Sequence, residues 1–141
     1  MVNLVAVQPE VSLENYRTAG AFRQKIMGLC EEAVSGLPEV PTLLAFPELI
    51  GFPLLLTLQS TGDKLKGENL SEMIKKVLMR SWPKMLGLAW QHKYLGLSLI
   101  YLPSATEAYR VYTSAFAEAA KTFGVTIVAG SSLLPYVTHE P

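Results

Sequence analysis

The chain has 141 residues, half of them apolar, enough for one domain with a real core and too apolar for a disordered segment. Twelve basic residues balance twelve acidic ones, so no net field draws a nucleic acid or an anionic membrane surface. Charged residues make up 17 %, against roughly 25 % in an average soluble domain, which points to surface covered by further chain or by a second subunit, that is, a homo-oligomer.

In chain order, the run Leu4-Val5-Ala6-Val7, stopped by Gln8-Pro9, predicts a short, fully buried strand. From Leu13 the apolar residues Leu13, Tyr16, Ala19, Phe22, Ile26, Leu29 and Ala33 recur at three- or four-residue steps, with Arg17, Arg23, Lys25, Glu31 and Glu32 mostly on other faces. That is one amphipathic helix, capped by Ser12, favoured at its positive end by Glu14 and closed by Gly36 in the left-handed conformation. Pro38 and Pro41 mark a loop, and Thr42-Leu43-Leu44-Ala45-Phe46 predicts a second buried strand ending at Pro47. Strand, helix and strand in this order imply a parallel crossover.

Between Phe52 and Pro103 the pattern turns helical, its clearest stripe being Leu70, Met73, Ile74, Val77 and Leu78, and the region reads as a helical insertion over about 54–105. Lysines and Arg80 outnumber acids there but interleave with the apolar pattern, as on a solvated helix face. The leucine-rich stretch from Met85 to Pro103 is interrupted by Gln91, His92 and Lys93, short of the roughly 18 apolar residues a membrane span needs. Ser104 and Glu107 have the spacing of a capping box that starts a helix with the stripe Ala108, Val111, Tyr112, Ala115, Phe116, Ala119 and Phe123. Gly124 ends it, and Val125-Thr126-Ile127-Val128-Ala129, broken by Gly130, predicts a third strand. The whole is an α/β fold with helices packed outside a parallel or mixed sheet.

Chemistry is sought first beyond the carboxyl ends of the strands, where open α/β sheets bind ligands. Glu48 stands there, directly after the second strand, with no other ionisable residue between Val40 and Thr57. Apolar surroundings disfavour a charged carboxylate and suit it to exchange a proton near neutral pH, the property of a general base. Pro47-Glu48 also fits the plain opening of a helix, proline at its first position and an acid at its positive end. Cys30, the single cysteine, falls on or beside the buried stripe of the first helix and reads as a small core residue; a lone cysteine forms no intramolecular disulfide. His92 and His139 lack partners at ligand spacing, so no metal is expected, and no cofactor. Gly130-Ser131-Ser132 lacks the glycine spacing and lysine of a phosphate loop and reads as a tight turn, while Trp82 and Trp90 read as core or interface. A nucleotide-binding doubly wound domain is disfavoured because Gln8-Pro9-Glu10 follows the first strand in place of a glycine-rich turn.

Three segments, Val5-Ala6-Val7-Gln8, Leu44-Ala45-Phe46-Pro47-Glu48-Leu49 and Phe123-Gly124-Val125-Thr126-Ile127-Val128-Ala129-Gly130-Ser131, together resemble the opening of a nitrilase-superfamily (carbon-nitrogen hydrolase) domain, in that family's order. The resemblance implies that residues 1–141 are one partial domain, the N-terminal portion of a four-layer α-β-β-α sandwich. It implies that Glu48 is the general base of a Glu-Lys-Cys mechanism acting on a small amide, carbamoyl or nitrile substrate. The family's lysine and nucleophilic cysteine lie on later strands, and no lysine follows Lys121, so only Glu48 carries over and the chain by itself is expected to be inactive. The N-terminus lacks the layout of a secretory signal, and the expected location is cytoplasmic. A truncated, non-catalytic α/β module acting in binding or oligomerisation remains the alternative.

Overall fold

A computed structural model describes residues 1–57 and 98–132. Among them β1 (Asn3–Ala6), a 3-10 turn (Leu13–Tyr16), α1 (Ala19–Val34), β2 (Thr42–Ala45), α2 (Phe52–Thr57), α3 (Ser98–Phe123) and β3 (Thr126–Val128) follow one another. The stripe at Leu70–Leu78, the stretch from Met85 to Leu97, both tryptophans and both histidines lie outside the described residues.

The strands form one parallel sheet in the order β1-β2-β3, with Leu4 opposite Leu43, Ala6 opposite Ala45, Leu43 opposite Thr126 and Ala45 opposite Val128. The fold is therefore α/β with the expected parallel crossover between β1 and β2. Asn3 fastens the start of the sheet, its side-chain amide donating to the Pro38 carbonyl and to Thr42 Oγ1, each at 3.0 Å.

One face of the sheet, carrying Val5, Leu44 and Ile127, is covered by α1 and α3, which pack against each other. The core between these layers joins Phe22, Ile26 and Cys30 of α1 to Leu44, Phe46, Ile50, Leu54 and Leu55, and to Ala108, Tyr112, Ala115, Phe116 and Ala119 of α3. The alanines on α3 let that helix approach closely, and the space is filled by aromatic rings. Phe116 meets Phe46 edge-on at 5.0 Å between ring centroids, and Phe22 lies 5.4 Å from Tyr16 and 6.3 Å from both Tyr112 and Phe116. Each such ring contributes about 1.5–3 kcal/mol of burial, and the pair geometry adds roughly 0.5–1.5 kcal/mol. Across the rim of the same helix pair, Arg23 of α1 and Glu118 of α3 form a two-pronged ion pair, which holds the Glu118 carboxyl below its usual range through the hydrogen bond from the guanidinium.

The opposite face corrects the expectation of strands buried on both sides. Leu4 is 72 % exposed and Val128 52 %, and Ala6 and Thr126 are exposed beside them, while Leu43 and Ala45 are half-buried. A run of apolar residues told of two faces that avoid water, but the described helices all lie over one of them.

Two helix starts also differ from expectation. The helix read from Leu13 onward is split: Ser12 makes no side-chain cap, the chain forms a 3-10 turn, and the regular helix begins only after Thr18, whose hydroxyl accepts from the Ala21 amide at 3.0 Å. The apolar spacing runs through both pieces because Tyr16 and Phe22 still reach the same core. At the other end α3 extends back to Ser98 and passes through Pro103, so Ser104 lies within the helix and does not begin it. Pro103, the sixth residue of the helix, forfeits the bond to the carbonyl four residues back and crowds that carbonyl. Gly36 and Gly124 close α1 and α3 with φ of 73° and 63°, as expected.

Candidate functional site

The three parallel strands point their carboxyl ends the same way, and two loops meet there: residues 46–51 after β2 and residues 129–132 after β3. The first begins as Phe46 donates its amide to the Val128 carbonyl at 2.9 Å, which carries the ladder one residue past β2. Pro47 has no amide to continue it, and the chain turns outward through Pro47, Glu48 and Leu49, all exposed.

Glu48 thus stands immediately beyond the central strand. It does not open a helix. Residues 48–51 form a turn, Leu49 takes a left-handed φ of 60°, and α2 begins only at Phe52, whose amide bonds the Leu49 carbonyl at 2.9 Å. The apolar enclosure expected around Glu48 is not formed by the described residues: its neighbours Phe46 and Ile50 turn into the core and leave the carboxylate outside. An exposed leucine at positive φ is an outlier among non-glycine residues, costing roughly 1–2 kcal/mol, and such strain gathers at ligand-binding turns.

What holds the turn is the neighbouring loop. The Leu49 amide donates to Ser131 Oγ at 3.2 Å. Gly130, at φ 76°, lies so close to the first loop that a Cβ built on it would fall 2.1 Å from the Pro47 carbonyl oxygen and 2.9 Å from its carbon. Gly51 is packed as tightly, an added Cβ meeting the Tyr112 ring at 2.6 Å and Ser132 Oγ at 2.8 Å. Tyr112 of α3 braces the second loop by donating its hydroxyl to the Ala129 carbonyl, with the Gly130 carbonyl 3.3 Å away. Burial pushes the Tyr112 phenol up to about 12, so this donor keeps its proton at any ordinary pH. Glu48 is in this way carried on a backbone pinned from below rather than on a loose loop.

Cys30 is far from such a role in its surroundings: it is 0 % exposed in the core of α1, and burial pushes its thiol up to about 11. A thiol kept protonated and away from solvent is a packing group, as its place on the helical stripe indicated. Gly130-Ser131-Ser132, read from the sequence as a tight turn, is an irregular segment with Gly130 at φ 76°, and it has a task the sequence did not disclose, namely to support the loop that bears Glu48. Tyr112 had been placed in the core by its spacing; only its hydroxyl, in a stripe otherwise of alanine, valine and phenylalanine, signalled that a polar partner was waiting. Ser132 Oγ is buried beside Gly51 with no hydrogen-bond partner among the described residues. No group of three or more metal-ligating side chains occurs among the described residues, and no helix among them is long and apolar enough to cross a membrane.

Comparison with protein-family models, with curated proteins and with solved structures gave no match to this chain. The functional reading therefore rests on the residues and on the geometry at the carboxyl ends of the strands.

Proposed function

We propose that this chain is the front portion of a hydrolase of non-peptide carbon-nitrogen bonds, with Glu48 as its general base. The observation that carries the reading is the position of Glu48: exposed, directly beyond the central parallel strand, in a strained turn fixed by Gly130, Ser131 and Tyr112. The resemblance of the segments around Val7, Glu48 and Val128 to the nitrilase superfamily supports the same assignment. So does the uncovered apolar face of the sheet, which suits a second sheet laid on it to complete a four-layer sandwich.

In this mechanism the Glu48 carboxylate takes the proton of a cysteine thiol, and the sulfur attacks the carbon of an amide, carbamoyl or nitrile group. A lysine ammonium steadies the charge that develops on the substrate. From an amide or carbamoyl group the amine or ammonia leaves with a proton, whereas a nitrile gives a thioimidate that takes up one water before ammonia leaves; a water deprotonated by the same carboxylate then releases the acid from the thioester. The thiol and the ammonium come from residues other than those described, since Cys30 is sealed in the core.

The test begins with the intact mass of the protein from its source cells, compared with the 15.5 kDa of this chain. A heavier product is assayed against short amides and nitriles. Glu48→Gln is then expected to lower turnover by a factor of about 10²–10⁴ with the fold unchanged, and near-normal activity in that variant refutes the assignment. A product of 15.5 kDa without amidase activity favours the second reading, a non-catalytic α/β module, which the sheet edges left unpaired among the described residues also suit.

A further inference from the structure

Positive φ comes without strain to glycine and most readily after it to asparagine and aspartate, yet Leu49 holds φ 60° with a bulky apolar side chain. Both ends of its backbone are tied, the amide to Ser131 Oγ at 3.2 Å and the carbonyl to the Phe52 amide at 2.9 Å, so the turn sets the direction of that side chain. The direction is away from the core. Phe46 and Ile50, on either side, are buried, whereas Leu49 is 49 % exposed among the described residues and belongs neither to the core nor to its margin. The turn alone would be better served by glycine, and the core makes no use of the leucine. What remains to explain it is its neighbour Glu48, directly beyond the central strand, where parallel sheets receive their ligands.

The charges at this place narrow the ligand further. Across residues 46–57 and 125–132, which include both loops, Glu48 is the sole ionisable side chain. A carboxylate at the far end of a substrate would meet Glu48 with no cation from either loop to offset the repulsion. An ammonium group there would pair with Glu48 and hold it in its charged form, away from proton transfer.

We infer that Leu49 forms an apolar wall of the acyl pocket, and that the substrate is an amide or nitrile whose acyl group is an uncharged hydrocarbon chain. The inference rests on the hydrolase reading and names the substrate class of that same site. A tied turn keeps the wall in a fixed relation to the carboxylate on the preceding residue. An acyl chain lying on Leu49 then brings its carbonyl or nitrile carbon to the sulfur that Glu48 has deprotonated.

The test uses the full-length product from the source cells and three probes: acetamide, hexanamide and glutaramate, the last an amide with a carboxylate at its far end. The parent enzyme is expected to favour hexanamide over both others in kcat/KM. Leu49→Gly should lower the hexanamide-to-acetamide ratio by roughly ten- to a hundredfold, because several methylene groups lose their apolar contact. The urea midpoint of Leu49→Gly should equal or exceed that of the parent, since glycine takes φ 60° without penalty. A uniform loss on both amides leaves the ratio unchanged and overturns the inference, for Leu49 then only stiffens the turn. A lowered midpoint overturns it too, because the side chain is then packed inside the complete protein, and so does a preference for glutaramate. An unchanged ratio in a protein that Glu48→Gln inactivates defeats the wall alone; near-normal turnover in Glu48→Gln defeats the hydrolase reading and the wall with it.

Discussion

Gly130→Ala separates the support of the Glu48 turn from ordinary glycine effects. Two penalties apply at this position. The first is conformational: φ of 76° costs a residue with a Cβ roughly 1–2 kcal/mol. The second is contact: the new methyl would lie 2.1 Å from the Pro47 carbonyl oxygen, which belongs to backbone and cannot swing aside as a flexible side chain would. The loops must then separate by roughly an ångström, and overpacking of that kind adds about 1–3 kcal/mol. Gly124→Ala supplies the control, because it has φ of 63° but nothing within 4 Å of the added Cβ, and so carries the first penalty alone. Urea unfolding at 25 °C, followed by circular dichroism, measures both. With a slope of about 1.5 kcal/mol/M, the extra contact penalty moves the midpoint of Gly130→Ala below that of Gly124→Ala by roughly 0.7–2 M. Equal midpoints would refute the reasoning, for they would mean that the loops after β2 and β3 do not bear on each other.

Two further outcomes test neighbouring parts of the structure. Tyr112→Phe removes the hydroxyl that braces Ala129 and Gly130 and should cost about 0.5–1.5 kcal/mol. It should also change the alkaline limb: the phenol ordinarily loses its proton near 10 and in the fold only near about 12, so the stability it lends is complete below pH 10 and lost as pH rises toward 12. The urea midpoint should therefore fall less steeply between pH 10 and 12 in Tyr112→Phe than in the parent, Cys30 and Tyr16, also raised by burial, supplying the residual slope; identical slopes would count against the buried-phenol account. At the start of α1, Thr18→Ala should cost about 1 kcal/mol of stability in the same assay, while Ser12→Ala, lacking a cap bond to lose, should change it little. The reverse order of effects would return the helix start to Ser12.

The sequence disclosed the elements more readily than their margins. β2 and β3 are shorter than the apolar runs that announced them and β1 is shifted one residue toward the amino terminus, because Val7, Phe46 and Ala129 keep the apolar character while the chain is already leaving the ladder toward its loops. Helical periodicity found α1 and α3 but not the break at Arg17-Thr18, since a 3-10 turn of four residues shifts the stripe too little to interrupt it. The position of Glu48 was legible from the strand-stopping Pro47. Its support was not, because Gly130, Ser131 and Tyr112 meet Pro47, Leu49 and Gly51 across 61 to 83 positions of chain, a relation that no local pattern records.

The same contrast explains the sheet. In a strand, alternate residues face opposite ways, and one covered face would leave Leu4, Leu43 and Val128 free to be polar without harm to the core. They are not polar, nor are Ala6 and Ala45, and Thr126 is the one hydroxyl among the six residues of that face. An uninterrupted apolar run is what the proposed second sheet would require of these residues, and α1 and α3, packed together on the other side, do not cover them. A charged residue introduced at this face is therefore tolerated by the described core. Leu4→Lys should leave the urea midpoint of the chain nearly unchanged, whereas in a protein whose second sheet lies against Leu4 it should cost about 3 kcal/mol or more. If Leu4→Lys is silent in the full-length product from the source cells, the second layer is not a sheet packed on this face, and the sandwich falls with it.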